Sequence, residues 1–102
     1  MTDKQREWLE ILIEKSSIKI NLTNKDDFLK ATAQVVLAEC IEINGFRISL
    51  SKNFEGLWLQ PPSYSCGNGW KKTFWLDDKA LWKQLEDKIL KEYNNKIDSH
   101  YI

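Results

Sequence analysis

The chain of 102 residues contains 42% hydrophobic and 29% charged side chains, which suits one globular domain with an ordinary core. Fifteen basic and fifteen acidic residues give a formal net charge of zero, which argues against strong nonspecific attraction to nucleic acid or to an anionic membrane. Apolar runs of only a few residues and a polar, acidic start exclude a membrane span and a secretion signal, so we expect a soluble cytoplasmic protein.

The first predicted element is a helix over residues 4–15. Its apolar residues share a stripe about 200° wide on the helical wheel. They are Trp8, Leu9, Ile11, Leu12 and Ile13. A stripe of that width indicates packing on two sides, which could include a partner subunit. The alternative is a fraying helix that docks on its own sheet.

Two strands are predicted next, over residues 16–24 and 28–38. In the first, Ile18 and Ile20 alternate with polar residues, as is typical of a half-buried strand. In the second, every other residue is apolar, and these residues share one face. They are Leu29, Ala31, Ala33, Val35 and Leu37. The polar residues 24–27 predict a turn, so the two strands should form a hairpin.

A third strand is predicted over residues 40–50. Its apolar residues have odd numbers before the Asn44-Gly45 dipeptide and even numbers after it. They are Ile41, Ile43, Phe46, Ile48 and Leu50. One extra residue at Asn44-Gly45 would restore a single buried face, as a β-bulge does. A hairpin turn there is the rival, but its arms would have only about three residues, so we favour the bulge.

The following segment predicts a second hairpin. Residues 51–56 predict its loop, and residues 57–60 predict a fourth strand that Pro61-Pro62 ends. Residues 63–69 predict a loop with glycines at its tip, and residues 70–76 predict a short extended segment.

The last predicted element is a helix capped by Asp77 or Asp78. Its apolar residues occupy one half of the helical wheel. They are Leu81, Trp82, Leu85, Ile89, Leu90 and Tyr93. Charged residues on the other half predict weak surface ion pairs four residues apart. These pairs are Lys83 with Asp87, Asp87 with Lys91, and Lys88 with Glu92. The element order α-β-β-β-β-α predicts an α+β fold, with a four- to five-stranded, mostly antiparallel sheet between an N-terminal and a C-terminal helix.

The residues that carry most enzyme chemistry are few. Cys40 and Cys66 are expected to remain thiols, and with the single His100 they are too few to build a structural zinc site. No serine or cysteine has a histidine predicted beside it, and there is no glycine-rich phosphate loop. We therefore expect a protein that is not an enzyme and that needs no metal, cofactor or small-molecule substrate.

Several short motifs follow one another along residues 17–93. They are Ile18–Leu22, Lys30–Leu37, Ile41–Ile48, Gly56–Leu59, Pro61-Pro62-Ser63 and Ile89–Tyr93. In order and spacing they resemble the SpoVG family of bacterial septation and sporulation-stage regulators, over about three quarters of the chain. One departure is that Ser63 is followed by Tyr64-Ser65-Cys66, whereas the family has a lysine-arginine pair there.

The SpoVG resemblance implies a small β-sheet domain with a C-terminal helix, which forms a homodimer through its sheet. It also implies regulation by sequence-selective binding to DNA, or to RNA in some members. It divides the chain into an N-terminal helical extension (1–16), a SpoVG-like α+β domain (17–95) and a C-terminal tail (96–102).

Basic and aromatic residues of the third strand and the loops are candidates for contact with nucleic acid. They are Arg47, Lys52, Tyr64, Trp70, Lys71 and Lys72. We expect the basic residues to contact phosphates and the two rings to stack on unpaired bases. Lys83, Lys88 and Lys91 of the last helix could add to this surface. The alternative for each lysine is an ordinary solvated charge.

Five tryptophans are many for this length, and they predict either an aromatic-rich core or rings on a surface that contacts a partner. Trp58 and Trp82 are predicted to lie in the core, whereas Trp70 could lie in the core or on the surface.

Two other interpretations remain open. Phe46-Arg47-Ile48, a glycine-containing hairpin and Leu81-Trp82-Lys83-Gln84-Leu85 resemble, over a shorter stretch, the single-stranded-DNA-binding transcriptional coactivators. A protein–protein interaction module is the alternative from another class, favoured by the neutral charge, the abundant tryptophan and the apolar N-terminal helix. A groove lined by Arg47, Lys71 and Lys72 would favour nucleic acid, and evenly scattered charges would favour the module.

Overall fold

The computed structural model describes residues 1–23, 28–51 and 56–100 and has an α+β fold, as predicted. Two helices and four strands form the main body, in which the strands make one antiparallel sheet in sequence order. These elements are α1 (Asp3–Glu14), β1 (Ser17–Leu22), β2 (Leu29–Leu37), β3 (Ile41–Leu50), β4 (Leu57–Gln60) and α2 (Lys79–His100). Between β4 and α2, a separate two-stranded sheet is formed by β5 (Ser63–Cys66) and β6 (Gly69–Lys72).

The core lies between α2 and one face of the four-stranded sheet. Four of the five odd-numbered residues of β2 face it, as predicted: Ala31, Ala33 and Val35 are buried, and Leu37 packs against them. The prediction is wrong for Leu29, which lies beyond a register shift and lines a groove outside the core. Phe46 and Ile48 of β3 are fully buried beside the buried residues of β2. Burial of an aliphatic or phenyl side chain of this kind stabilises a fold by about 1.5–3 kcal/mol. From α2, the apolar half predicted from the sequence supplies Leu81, Leu85, Ile89 and Tyr93.

The β-bulge predicted at Asn44-Gly45 is confirmed by the pairing of β2 with β3. Ala33 lies opposite Phe46, but Val35 lies opposite Ile43, so β3 contains one extra residue between these pairs. Gly45 has a φ of 99°, a backbone conformation that side chains disfavour. A second register shift, between Leu29 and Ala31 of β2, was not predicted.

The segment predicted as a loop over residues 63–69 is instead the first half of a β-hairpin, so that prediction is wrong. Ser63 pairs with Lys72 and Cys66 with Gly69 across a two-residue turn. The base is closed by the N–H of Thr73, which donates to the carbonyl of Pro62 at 2.8 Å. Both faces of this hairpin are exposed. It therefore lacks the buried alternation by which strands are recognised in a sequence.

Helix α1 docks on α2. Thr2 caps it in a reciprocal arrangement with Gln5, in which each backbone N–H donates to the other residue's side chain. Ile13 is buried in the core, whereas Trp8 and Ile11 remain 57% and 42% exposed. Only the inner part of the wide apolar stripe is therefore covered within the described chain.

Helix α2 is capped by Asp78, one of the two predicted residues. Its carboxylate accepts from the N–H groups of Ala80 and Leu81 at 2.9 and 3.0 Å. The same carboxylate pairs with Arg6 of α1. The helix continues to His100, through most of the segment that we assigned to a C-terminal tail (96–102).

One of the three ion pairs predicted on α2 is present, between Lys83 and Asp87 at 3.1 Å. The other two, Asp87 with Lys91 and Lys88 with Glu92, do not form in the described part of the chain. The Lys88 ammonium instead donates to three carbonyls at the C-terminal end of α1 and just beyond it. They belong to Ile13, Glu14 and Ser16.

Two predicted turns involve residues outside the described ranges, namely the turn at 24–27 and residues 52–55 of the loop at 51–56. The two ends of that second loop are described, and the N–H of Ser51 donates to the carbonyl of Gly56 at 2.8 Å. No helix within the described ranges combines the length and the apolar character needed to cross a membrane.

Candidate nucleic-acid interface

The second face of the four-stranded sheet is turned away from α2. The register places Thr32, Arg47 and Gln60 side by side across β2, β3 and β4 on this face. Ser49 and Trp58 form the next pair along β3 and β4. Polar and aromatic side chains therefore share the outer face, because they alternate along each strand with the core residues.

A groove of about 810 Å³ lies between this outer face and the β5–β6 hairpin. The sheet and the hairpin supply one wall each, and apolar residues such as Phe28, Leu50 and Pro61 complete the lining. We call it the tryptophan groove and define it by Arg47, Ser49, Trp58, Gln60, Trp70 and Lys72. It is larger than a second groove of about 400 Å³ that residues of β1 and α2 line.

Three of the six predicted site residues line the tryptophan groove: Arg47, Trp70 and Lys72. Tyr64 and Lys71 do not line it. They pair with each other on the opposite face of the hairpin, because neighbouring residues of a strand point to opposite sides. Lys52 lies outside the described residues.

Trp58 was predicted to lie in the core, and that prediction is wrong. Its side chain is 45% exposed in the groove, whereas the next residue, Leu59, is only 3% exposed and faces the core. The period of two in a strand allows only one of the two neighbours to point inward. This alternation was the signal in the sequence that could have identified Trp58. Trp82 does pack against the core, 6.4 Å from the ring of Phe46.

The cations of the groove differ from those of the helices in their partners. On the helices, Arg6 and Lys83 are paired with carboxylates. Among the described residues, neither Arg47 nor Lys72 takes part in an ion pair, and no carboxylate lines the groove. The described residues that line the groove therefore carry positive charge, on a chain whose net charge is zero.

A row of aromatic rings connects Lys72 to the core. The Lys72 ammonium lies 3.7 Å from the centre of the Trp75 ring, within the distance of a cation–π contact. The Trp75 ring is 4.6 Å from Trp82, which in turn stacks on Phe46. These contacts hold the cation on a ring that is itself fixed to the domain, which limits its freedom at the edge of the groove.

Chemically, the described residues of the groove offer two cations, two exposed indole rings and a few neutral hydrogen-bonding side chains. No group of three histidine, cysteine or acidic side chains in the described ranges is placed to hold a metal ion. Comparison with models of protein families and with curated proteins finds no match for this chain.

Proposed function

We propose that this protein binds nucleic acid through the tryptophan groove and acts as a regulator of SpoVG type. The observation that carries the proposal is the meeting of Arg47 and Lys72 with exposed Trp58 and Trp70 in one groove. Cations contact phosphates, and indole rings stack on bases, so the two kinds of side chain match the two parts of a nucleotide.

The charge balance favours a modest affinity. A neutral chain exerts little long-range attraction on a polyanion, so binding depends on the local charge of the groove. Each phosphate contact contributes a slope of about 0.7 to 0.9 in a plot of log affinity against log salt concentration. Two groove cations per chain therefore correspond to a shallow but measurable salt dependence.

The SpoVG resemblance adds the biological setting to the proposal. A sheet followed by a C-terminal helix is the arrangement that the resemblance implies. In that setting the protein is a cytoplasmic homodimer that acts by binding and carries out no catalysis. The second subunit doubles the number of groove cations available to a long nucleic acid.

The test is a fluorescence-anisotropy titration with labelled DNA and RNA at about 50 and 200 mM salt. The double variant Arg47→Gln/Lys72→Gln should bind more weakly and should flatten the salt dependence. Lys71→Gln is the matched control, because Lys71 adjoins Lys72 but lies on the opposite face of the hairpin. Absence of binding by the unaltered protein at micromolar concentration, or an equal loss in the control, would overturn the proposal.

A second candidate function is a protein–protein interaction module, favoured by Trp8 and Ile11, which remain exposed on α1. The Trp8→Ala variant distinguishes it. Loss of a protein partner with unchanged nucleic-acid affinity would assign α1 to this role, whereas loss of nucleic-acid affinity would contradict a site confined to the groove.

A further inference from the structure

We infer that the tryptophan groove takes a single-stranded segment, whose unpaired bases stack on Trp58 and Trp70, in preference to a duplex. The inference rests on the proposed function and specifies the ligand of the same site.

The exposure of the two indole rings is the first observation. Trp58 is 45% exposed on the sheet wall, and Trp70 is 70% exposed on the hairpin wall. An indole is among the largest apolar surfaces that a side chain offers, and both rings line the same groove. The groove thus presents one aromatic surface on each of its walls.

The chemistry of the ligand decides what such rings can bind. In a duplex the faces of the bases are covered by their neighbours, so a protein reaches only base edges, sugars and phosphates. In a single strand the bases are unstacked and can lie on aromatic side chains. The two indole rings can therefore be used fully only by unpaired bases.

The balance of charge leads to the same ligand. Duplex binding without base stacking draws mainly on phosphate neutralisation, and among the described residues the groove supplies only Arg47 and Lys72 for it. Stacking does not depend on net charge. A neutral chain with two exposed indole rings is thus better matched to a ligand held by stacking than to one held by charge.

The size of the groove is consistent with a short segment of a strand. Its volume of about 810 Å³ falls in the range of about 300–1,000 Å³ that is usual for sites of small ligands. A few splayed nucleotides fit that scale, whereas the stacked bases of a duplex require a long continuous surface.

The experiment compares one labelled sequence as single-stranded DNA, as single-stranded RNA and as a duplex. We expect the single strands to bind at least about tenfold more tightly than the duplex. Trp58→Leu and Trp70→Leu should each weaken single-strand binding by about 5- to 150-fold, the effect of one stacked base, with an unchanged salt slope. Trp70→Phe should retain most of the affinity, because it keeps an aromatic face.

Trp8→Leu is the matched control, since it removes an exposed tryptophan from α1 and leaves the groove intact. Thermal unfolding of every variant checks that the fold is retained. Equal or tighter binding of the duplex, or single-strand affinity that survives loss of either groove tryptophan, would overturn this inference and leave nucleic-acid binding in place. Failure of all three ligands to bind would overturn the proposed function itself.

Discussion

Gly45 lies beside Pro62, the residue that leads into the hairpin forming one wall of the groove. Its φ of 99° is disfavoured for any residue with a side chain, and a Cβ atom there would lie 3.4 Å from the Cβ of Pro62. Pro62 is buried and immediately precedes β5. We expect Gly45→Ala to lower the free energy of unfolding by more than about 1 kcal/mol, because the new side chain strains the backbone of the bulge.

Urea unfolding measures the loss at Gly45, and amide NMR shifts in β5 and β6 report whether the hairpin moves. Gly69→Ala is the control, since no atom lies within 4 Å of the position that its Cβ would take. Equal stability of the two variants would show that the bulge tolerates a side chain at position 45 and would contradict this prediction.

Single residues also show what could be read from the sequence and what could not. The bulge at Gly45 followed from the change of parity in β3, which depends only on local alternation. Trp58 was assigned to the core by its residue type, although its neighbour Leu59 already occupied the inward position. Lys71 and Lys72 could not be separated, because nothing in the sequence showed that they lie on a strand with two exposed faces.

At the start of α2, the carboxylate of Asp78 forms an ion pair with Arg6 of α1. The Arg6 guanidinium beside Asp78 holds the pKa of that carboxyl below its ordinary value, and the N–H of Leu81 adds to the effect. A lowered pKa in the folded state means that the ionised carboxylate stabilises the fold. That contribution is present above the ordinary carboxyl pKa of about 4 and is lost as the pH falls through the lowered value.

In the Asp78→Asn variant, the free energy of unfolding should therefore depend less on pH below about pH 4. Asparagine keeps the N-cap, because its side-chain oxygen also accepts from the first N–H groups of the helix. Urea unfolding between pH 7 and pH 2 should show stability falling less steeply with acid in the variant than in the unaltered protein. Asp77→Asn is the control, since Asp77 is exposed and is not the capping residue. If Asp78→Asn and the unaltered protein lost the same unfolding free energy between pH 7 and pH 2, the stabilising role of the Asp78 carboxylate would be contradicted.

The predictability of the elements follows from how much of each is buried. Both helices and the strands β1 to β4 bury one side, so their period appears in the sequence and their bounds were predicted to within two residues, apart from the end of α2. The β5–β6 hairpin buries neither face and was missed. Helix α2 extends beyond the predicted tail boundary because Ile97, one turn past Tyr93, still packs on the core.

At the scale of the whole molecule, a net charge of zero conceals an uneven distribution. The described cations of α1 and α2 that lie nearest the helix contact have partners: Arg6 pairs with Asp78 and Glu10, and Lys88 binds backbone carbonyls. The groove cations, Arg47 and Lys72, form no ion pair with a carboxylate of the described residues. This difference arises only when the chain folds, so composition could exclude a strongly basic protein but could not reveal a local basic groove.

All the residues that define the tryptophan groove come from one chain, so each subunit of a homodimer would carry a complete groove. We expect light scattering to give the mass of two chains and a saturating titration to give two short oligonucleotides per dimer. Trp8→Glu should leave the dimer intact, because the SpoVG resemblance places the contact on the sheet, whereas Trp8 is an exposed residue of α1. A mass of one chain would contradict the dimer. Dissociation of the dimer by Trp8→Glu would show that α1 forms the contact between subunits. Binding of one oligonucleotide per dimer would mean that the two grooves act as one site.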